Sequence, residues 1–321
     1  MNKLIVLFLL MAIVLMAGFS TPAHAQTPPS DLKPTFISPT PGLYVNGWPA
    51  FTVSYPKEWE EIPAFVGGFS ARVRRQDLPP GPHLSTVTIG FDPDPLPIED
   101  WAKSMMPVYL QMGTDIKVLS DKPSRLKDGT PAREGEVELV LGSGPWALEK
   151  GTKLNDFVLV TKKELIWVVI HVAAINLPED RGQIGVDVKR VVYSLTFLRG
   201  REEPVKVPPD VQAFLDMFCV DMAGHDVKAI MGHFSDRFRS SGASKGVIEQ
   251  WWRNDPNSPI HKGVISEEAT VTVFESRGDK AYLDGFYLEK TKGDAKGRKV
   301  PMYGQQIINE HGEWRWFGNQ K

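Results

Sequence analysis

Hydrophobic and polar residues alternate along most of the N-terminal two thirds of the chain, in short runs that predict β-strands. Residues 51–55 form such a run, and it stops at Pro56. Further runs of this kind lie at 69–76, 84–91, 116–119, 132–141, 157–161, 165–173 and 194–198. Helical spacing of apolar residues occurs here only at 98–112 and 179–193. We therefore expect an antiparallel sheet with two helices packed on it.

The last third of the chain reverses this order, with helical patterns first and strands after them. One apolar stripe at i, i+3, i+4, i+7 and i+11 predicts a helix through Val211, Phe214, Leu215, Phe218 and Met222. Shorter helices are predicted at 227–233 and after Ser244, a favourable N-cap residue. Four strands follow, at 264–275, 279–291, 298–309 and 313–319. We expect them to curl into a half-open cone, with the first helix across its concave face.

Two proline-rich segments predict how the chain divides. Residues 26–50 contain six prolines and few strong helix or strand formers, which is typical of an extended leader. Prolines and charged residues recur around 199–209, between two patterned regions. Because the chain is also longer than one core usually covers, we expect two domains, 51–199 and 208–321, with a linker at 200–207. The predicted fold class is α+β.

The first 25 residues predict an export signal. Lys3 precedes an unbroken apolar run at 4–17, and the segment closes on Ala23-His-Ala25, a small-x-small cleavage pattern. The run is short for a membrane span, and an uncleaved membrane helix is the alternative interpretation. We expect cleavage between Ala25 and Gln26, and a periplasmic or secreted protein. No cysteine lies near this point, so a stable membrane anchor is not expected.

Charge, cysteine and histidine content exclude several classes of function. The 37 basic and 39 acidic residues are interspersed, so the sequence offers no basic stripe for nucleic acid. Cys219 is the one cysteine, and its apolar neighbours predict a buried small hydrophobe rather than a reactive thiol. No histidine or cysteine pair has the spacing of zinc ligands. The sequence therefore predicts neither a metal nor a cofactor.

Four short segments in the C-terminal part carry a family resemblance. They are Ala223-Gly-His-Asp226, Glu249-Gln-Trp-Trp252, Lys280-Ala-Tyr-Leu-Asp-Gly285 and Gly312-Glu-Trp-Arg-Trp-Phe-Gly318. In their order along 208–321 they resemble the nuclear transport factor two-like superfamily, which includes the SnoaL-like and ketosteroid isomerase-like proteins. The resemblance implies the cone fold. It implies no reaction, because the superfamily holds enzymes together with members that only bind or assemble.

The N-terminal part carries a second resemblance. Phe51-Thr-Val-Ser-Tyr-Pro56 followed by Trp59, and Gly129-Thr-Pro-Ala132 before an alternating strand, are similar to segments of the PsbP-like family. The predicted order of strands and helices also fits that family, which includes the periplasmic DcrB-type proteins. Those proteins usually carry a lipid-modified cysteine. This chain has no such cysteine, so the resemblance implies no membrane tether here.

One strand of the C-terminal part holds the candidate site. Tyr282, Asp284 and Phe286 share a face with Leu288, because side chains alternate along a strand. An acid among large apolar residues would have a raised pKa, as a general base needs. The resembling isomerases use a carboxylate and a tyrosine in this manner, and the candidate companions are Tyr303, Gln305 and Trp316. The alternative is that Asp284 lies at the sheet rim or on its outer face, beside a bulge at Gly285.

These observations lead to one expected function and two alternatives. We expect an exported, soluble, non-enzymatic protein of the bacterial envelope that binds a small apolar ligand or an envelope protein. The first alternative is an enzyme of the SnoaL or ketosteroid isomerase kind that uses Asp284 for proton transfer. The second is an assembly subunit that forms a homodimer through the sheet of its C-terminal domain.

Overall fold

The computed structural model describes residues 41–62, 69–75, 86–92, 97–142, 151, 153–163, 166–175, 189–198, 202–240, 242–256, 258–294, 296–302 and 304–320. The predicted export signal and most of the helix predicted at 179–193 lie outside these residues. Backbone contacts divide the chain into two compact units. The first unit holds the chain up to Val45 and Thr52–Phe197. The second holds Asn46–Phe51 and Leu198–Lys321, so it is built from two separate stretches of sequence.

Ten strands belong mainly to the first unit. In chain order they are β1 (Leu43–Asn46), β2 (Phe51–Ser54), β3 (Trp59–Ile62), β4 (Phe69–Arg75), β5 (Thr86–Asp92), β6 (Gly113–Arg125), β7 (Pro131–Leu141), β8 (Lys153–Lys163), β9 (Ile166–Ile175) and β10 (Thr196–Phe197). Seven of them form one antiparallel sheet in the order β3-β4-β5-β9-β8-β7-β6. A separate sheet has the order β1-β2-β10. The antiparallel sheet is confirmed. The strands predicted at 116–119 and 157–161 are longer than expected, because they extend over 113–125 and 153–163.

Helix α1 (Trp101–Met112) covers part of the large sheet after a short 3-10 turn, as the pattern at 98–112 predicts. Its buried side chains recur every fourth residue, at Trp101, Met105 and Tyr109. The Tyr109 hydroxyl donates a 2.6 Å hydrogen bond to Asp156 Oδ2 on β8. Gly135 on β7 lies directly under Trp101, where any Cβ would collide with the indole ring. The glycine therefore allows the helix to approach the sheet closely.

The second unit contains four helices and a curled, half-barrel sheet. The helices are α2 (Pro209–Gly224), α3 (Val227–Gly232), α4 (Lys245–Asn254) and α5 (Pro259–Lys262). The short strands β11 (Arg239–Ser240) and β12 (Ala243–Ser244) pair with each other. The sheet consists of β13 (Val264–Arg277), β14 (Lys280–Thr291), β15 (Arg298–Pro301), β16 (Gln305–Glu310) and β17 (Glu313–Trp316). Across the described part of the chain, no helix has the length and hydrophobicity needed to cross a membrane.

Helix α2 buries the apolar stripe that its sequence predicts. Every residue of the stripe from Val211 to Met222 is buried, and so is Cys219 beside it. The helix ends at Gly224, and His225 after it takes the left-handed conformation with φ 59°. Asp226 then caps α3 by accepting bonds from two backbone N–H groups. Ser244 occupies the predicted N-cap position of α4, but its side chain makes no capping bond.

The strand predicted at 298–309 is in fact two strands that use different halves of β14. β15 pairs with residues 286–289, and β16 pairs with residues 280–283. A bulge also interrupts the pairing of β13 with β14. It lies opposite Gly285 and Asp284, and its extra residue is Thr272 of β13. A Cβ at Gly285 would collide with the Thr270 carbonyl, so the bulged strand can approach only a glycine.

Candidate functional site

The two faces of β14 meet different parts of the second unit. The Tyr287 ring lies 6.2 Å from that of Phe218 on α2, so the odd-numbered side chains of this strand face α2 on the concave side. Tyr282, Asp284 and Phe286 therefore share the opposite, outer face. Their common face follows from the predicted alternation. The concave interior of the curled sheet, however, belongs to the odd-numbered side chains.

Asp284 is only 1% exposed, although it lies on the outer face. The Gly47 N–H donates a 2.9 Å hydrogen bond to Asp284 Oδ2, and the Gly285 N–H donates a 2.8 Å bond to Oδ1. Trp48 and Gly304 also donate backbone N–H bonds to this carboxylate. Burial raises the pKa of Asp284 to about 7, against the opposing effect of these N–H groups. Both oxygens are thus occupied by backbone.

The segment Asn46–Phe51, which we call the strap, is what covers Asp284. The Trp48 ring packs at 4.8 Å on that of Phe286, and the Lys299 ammonium lies 4.4 Å from the Phe286 ring centroid. Asn46 Nδ2 donates a 2.8 Å bond to the Pro49 carbonyl and fixes the bend of the strap. The alternative that Asp284 lies on the outer face of the sheet therefore gives its position. It does not anticipate that the strap buries the side chain.

The remaining predicted site residues lie elsewhere. Gln305 is the cross-strand partner of Leu283, and Trp316 is the partner of Ile307, which places both on the concave side. The Trp316 ring is 5.2 Å from Phe214 and 5.5 Å from Phe218. Tyr303 lies outside the described residues. Gln305 and Trp316 therefore lie on the opposite face of the sheet from Asp284 and do not share a pocket with it.

Two acids that the sequence analysis did not select lie on the concave face. Glu267 of β13 and Glu289 of β14 are direct cross-strand partners, and each is buried. Arg298 of β15 forms an ion pair with Glu289, at 2.9 Å from Nη2 to Oε2. Glu267 Oε2, in contrast, has no hydrogen-bond partner among the described residues. Burial, and then the charge of Glu289, raise the pKa of Glu267 well above its ordinary value.

A second unsatisfied polar atom lies on the same side of the sheet. Trp316 Nε1 is buried and has no acceptor within the described part of the chain, and the same is true of Trp252 Nε1 on α4. Buried polar atoms without partners are uncommon in folded proteins and need an explanation. Lys262 at the end of α5 is partly buried, and burial together with Arg298 lowers its pKa to about 8. The concave interior is therefore the candidate ligand site.

One sequence signal could have pointed to Glu267. It precedes Glu268 in a predicted strand, and adjacent strand residues face opposite sides. One of the two acids therefore has to face the interior. Burial also raises the pKa of the Cys219 thiol, so this cysteine is the expected buried hydrophobe and not a reactive thiol. Within the described ranges, no three metal-ligating side chains come together.

Comparison with known proteins finds similarity to solved structures, at low scores. No protein-family model matches this chain, and no curated protein matches it. Among solved structures, PsbP (CyanoP) from Synechocystis sp. PCC 6803 is similar with a TM-score of 0.38 and 11% identity, over 52% of this chain and 99% of that one. The Ran-binding protein Mog1p of Saccharomyces cerevisiae has a TM-score of 0.32 and 12% identity, over 46% and 89%.

A third similar structure is longer. It is a protein of Bacteroides thetaiotaomicron with a TM-score of 0.30 and 12% identity, and the match covers 85% of this chain and 88% of that chain. At these scores the similarities carry no argument about ligands, partners or activity.

Proposed function

We propose that this is an exported binding protein of the bacterial envelope, and that its second unit takes a small, mainly apolar ligand on the concave side of the curled sheet. The first unit would serve as an interaction module for an envelope partner. Export rests on the sequence pattern that ends at Ala25. Binding rests on the interior of the second unit.

One observation carries the binding proposal. Glu267 is 7% exposed, lies opposite Glu289 in the sheet, and has an oxygen without a partner among the described residues. A buried carboxyl group without a hydrogen bond costs folding free energy, of roughly 1–3 kcal/mol. A packing residue at this position would be more stable as an apolar side chain. Retention of the acid is explained if a ligand completes its hydrogen bonding.

Proton transfer by Asp284 is the weaker alternative. A general base has to reach a substrate proton within about 3 Å. Gly47 and Gly285 already occupy the two carboxylate oxygens, and the strap covers them. Asp284 therefore holds the strap to β14, and the site on the concave side does not include it.

The binding proposal can be tested with acetylnaphthalene as the probe and methionine-methyl NMR as the readout. Met222 lies on the buried side of α2 and is 3% exposed, whereas Met217 of the same helix is 62% exposed. Ring currents of a probe held in the interior should shift the Met222 methyl signal saturably and leave Met217 unchanged. A Met222→Leu variant assigns the signal. Equal shifts at both methionines, or none that saturates, would contradict the proposal.

A further inference from the structure

The chemistry of the proposed ligand can be read from the groups around Glu267. Three titratable side chains face it from the elements packed against it: Glu289 and Tyr287 of β14 and Cys219 of α2. The positive charges nearby are Arg298, which is paired with Glu289, and Lys262 at the end of α5. The Arg298 guanidinium is thus already paired with Glu289, and Glu267 has no ion-pair partner in the described ranges.

Glu267 lies directly opposite Glu289 in a buried pair, and the Arg298 guanidinium is already paired with Glu289, so a proton on Glu267 removes the repulsion between the two acids. Burial and the neighbouring Glu289 both disfavour its ionised form and raise its pKa. A protonated carboxyl group has an O–H that donates one hydrogen bond. Trp316 contributes a second donor on this side, because its buried Nε1–H has no acceptor among the described residues. The Trp316 indole and a protonated Glu267 therefore both call for an acceptor oxygen.

Aromatic rings lie between Glu267 and Trp316. Phe218 lies 5.5 Å from the Trp316 ring and 6.2 Å from the Tyr287 ring, and Tyr287 is two residues from Glu289 on the same face of β14. The surface between Trp316 and Glu267 is thus apolar. A ligand that touches it needs an apolar body, and a ligand that satisfies its ends needs oxygen acceptors without charge.

We propose that the ligand is a neutral molecule with an apolar body and a carbonyl-type oxygen, and that Glu267 donates a hydrogen bond to this oxygen. The inference rests on the proposed binding function and specifies its ligand class. A carboxylate ligand would need Lys262 as its counter-ion, because Arg298 is already paired with Glu289, and burial disfavours the charged form of Lys262. An ammonium ligand would require Glu267 to lose its proton, and it would leave the Trp316 donor unsatisfied.

Four probes that share one naphthalene body test this ligand class. Acetylnaphthalene carries a ketone, ethylnaphthalene has no polar group, aminoethylnaphthalene is an ammonium ion, and naphthoate is an anion. One hydrogen bond corresponds to about tenfold in affinity, so the ketone should bind about ten times more tightly than the hydrocarbon. The two ions should bind more weakly than the ketone. Dissociation constants follow from the Met222 methyl shift.

The pH dependence and two variants assign the effect to Glu267. The ketone gains its hydrogen bond only from the protonated acid, so its advantage of about tenfold over the hydrocarbon should disappear as the pH rises through the pKa of Glu267. Glu267→Gln keeps an N–H donor at every pH, so it should retain the preference for the ketone without the pH dependence. Glu267→Leu should lose the preference. Glu268→Gln, on the exposed neighbouring residue, should behave as the wild type.

The possible failures differ from one another. If none of the four probes shifts Met222, the binding function fails, and this inference fails with it. If the probes bind but the hydrocarbon equals the ketone, the binding function stands and the ligand class is wrong. If the ammonium probe binds most tightly, Glu267 acts as a carboxylate and the inference is overturned. A Glu267→Gln variant that loses the preference for the ketone would also overturn it.

Discussion

Asp284 and Glu267 are both buried acids of the curled sheet, and burial raises the pKa of each. They differ in their partners. Asp284 accepts backbone N–H bonds on both oxygens, with Gly47 and Gly285 among the donors. Glu267 has an oxygen with no partner in the described part of the chain. One acid therefore has a complete structural role within the protein, and the other does not.

The comparison shows that a raised pKa does not by itself identify a functional acid. Both residues would pass a test based on burial and titration. Counting the hydrogen bonds of each oxygen separates them, because a satisfied carboxylate has no capacity left for a ligand. Each of the following predictions either strengthens this distinction or removes it.

The largest expected effect concerns Asp284 and pH. Its pKa rises from 3.8 in the unfolded chain to about 7 in the folded one, so the folded state binds more protons between these values. The stability that Asp284 contributes is therefore greatest below about pH 4, falls as the pH rises to about 7, and is constant above that. The loss amounts to about 4 kcal/mol, at about 1.4 kcal/mol per pKa unit. Asp284→Asn cannot ionise and should lack this fall.

Denaturant unfolding of both proteins from about pH 4 to about pH 8 checks the prediction. The informative quantity is the difference between the two curves, because other titrating groups contribute equally to both. Parallel curves would mean that the backbone N–H groups offset burial completely. Asp284 would then have an ordinary pKa, and the contrast with Glu267 would become sharper.

The second prediction concerns Gly47, which has no room for a side chain. A Cβ at this position would lie 2.6 Å from the Asp284 Cβ. Gly47→Ala should therefore push the strap away from β14 and break the bond to the carboxylate, at a cost of about 3 kcal/mol. Gly246→Ala is the matched control, since the nearest atom there, Ser244 Oγ, is 4.0 Å away. Equal unfolding midpoints for the two variants would show that the strap is not held as described.

The smallest effect is expected at Glu267, with the opposite sign. Glu267→Met removes an unsatisfied buried acid and keeps the volume, so it should stabilise the protein by about 1–2 kcal/mol at neutral pH. Glu289→Met should destabilise it, because Arg298 would lose its partner. Thermal unfolding measures both changes. A loss of stability in Glu267→Met would indicate that this acid, like Asp284, is needed by the fold itself.

Local patterns predict the elements of this protein well. The stripe of α2 lies in the core because helical spacing fixes which residues share a side, whatever the helix packs against. The hairpin of β13 and β14 follows equally from alternation and from the turn between the strands. The α+β class and the antiparallel sheets rest on such local signals, and they are confirmed.

The site depends on information that no local pattern contains. β14 carries an aromatic residue and an acid on each face, Phe286 with Asp284 and Tyr287 with Glu289, so alternation could not decide which face α2 covers. The strap that buries Asp284 comes from a distant part of the sequence. The glycine of β14 marks the position of the bulge, but the extra residue, Thr272, lies on the neighbouring strand.

The long separation in sequence between the strap and β14 has a consequence for the synthesis and folding of the chain. The hydrogen bond between Gly47 and Asp284 joins residues 237 positions apart. Synthesis begins at the N-terminus, so Trp48 is present long before the Phe286 ring on which it packs. Contacts between such distant residues form late and slowly in folding. The outer face of the curled sheet can therefore be completed only when nearly the whole chain has been produced, and any chain that stops short of β14 leaves an indole exposed.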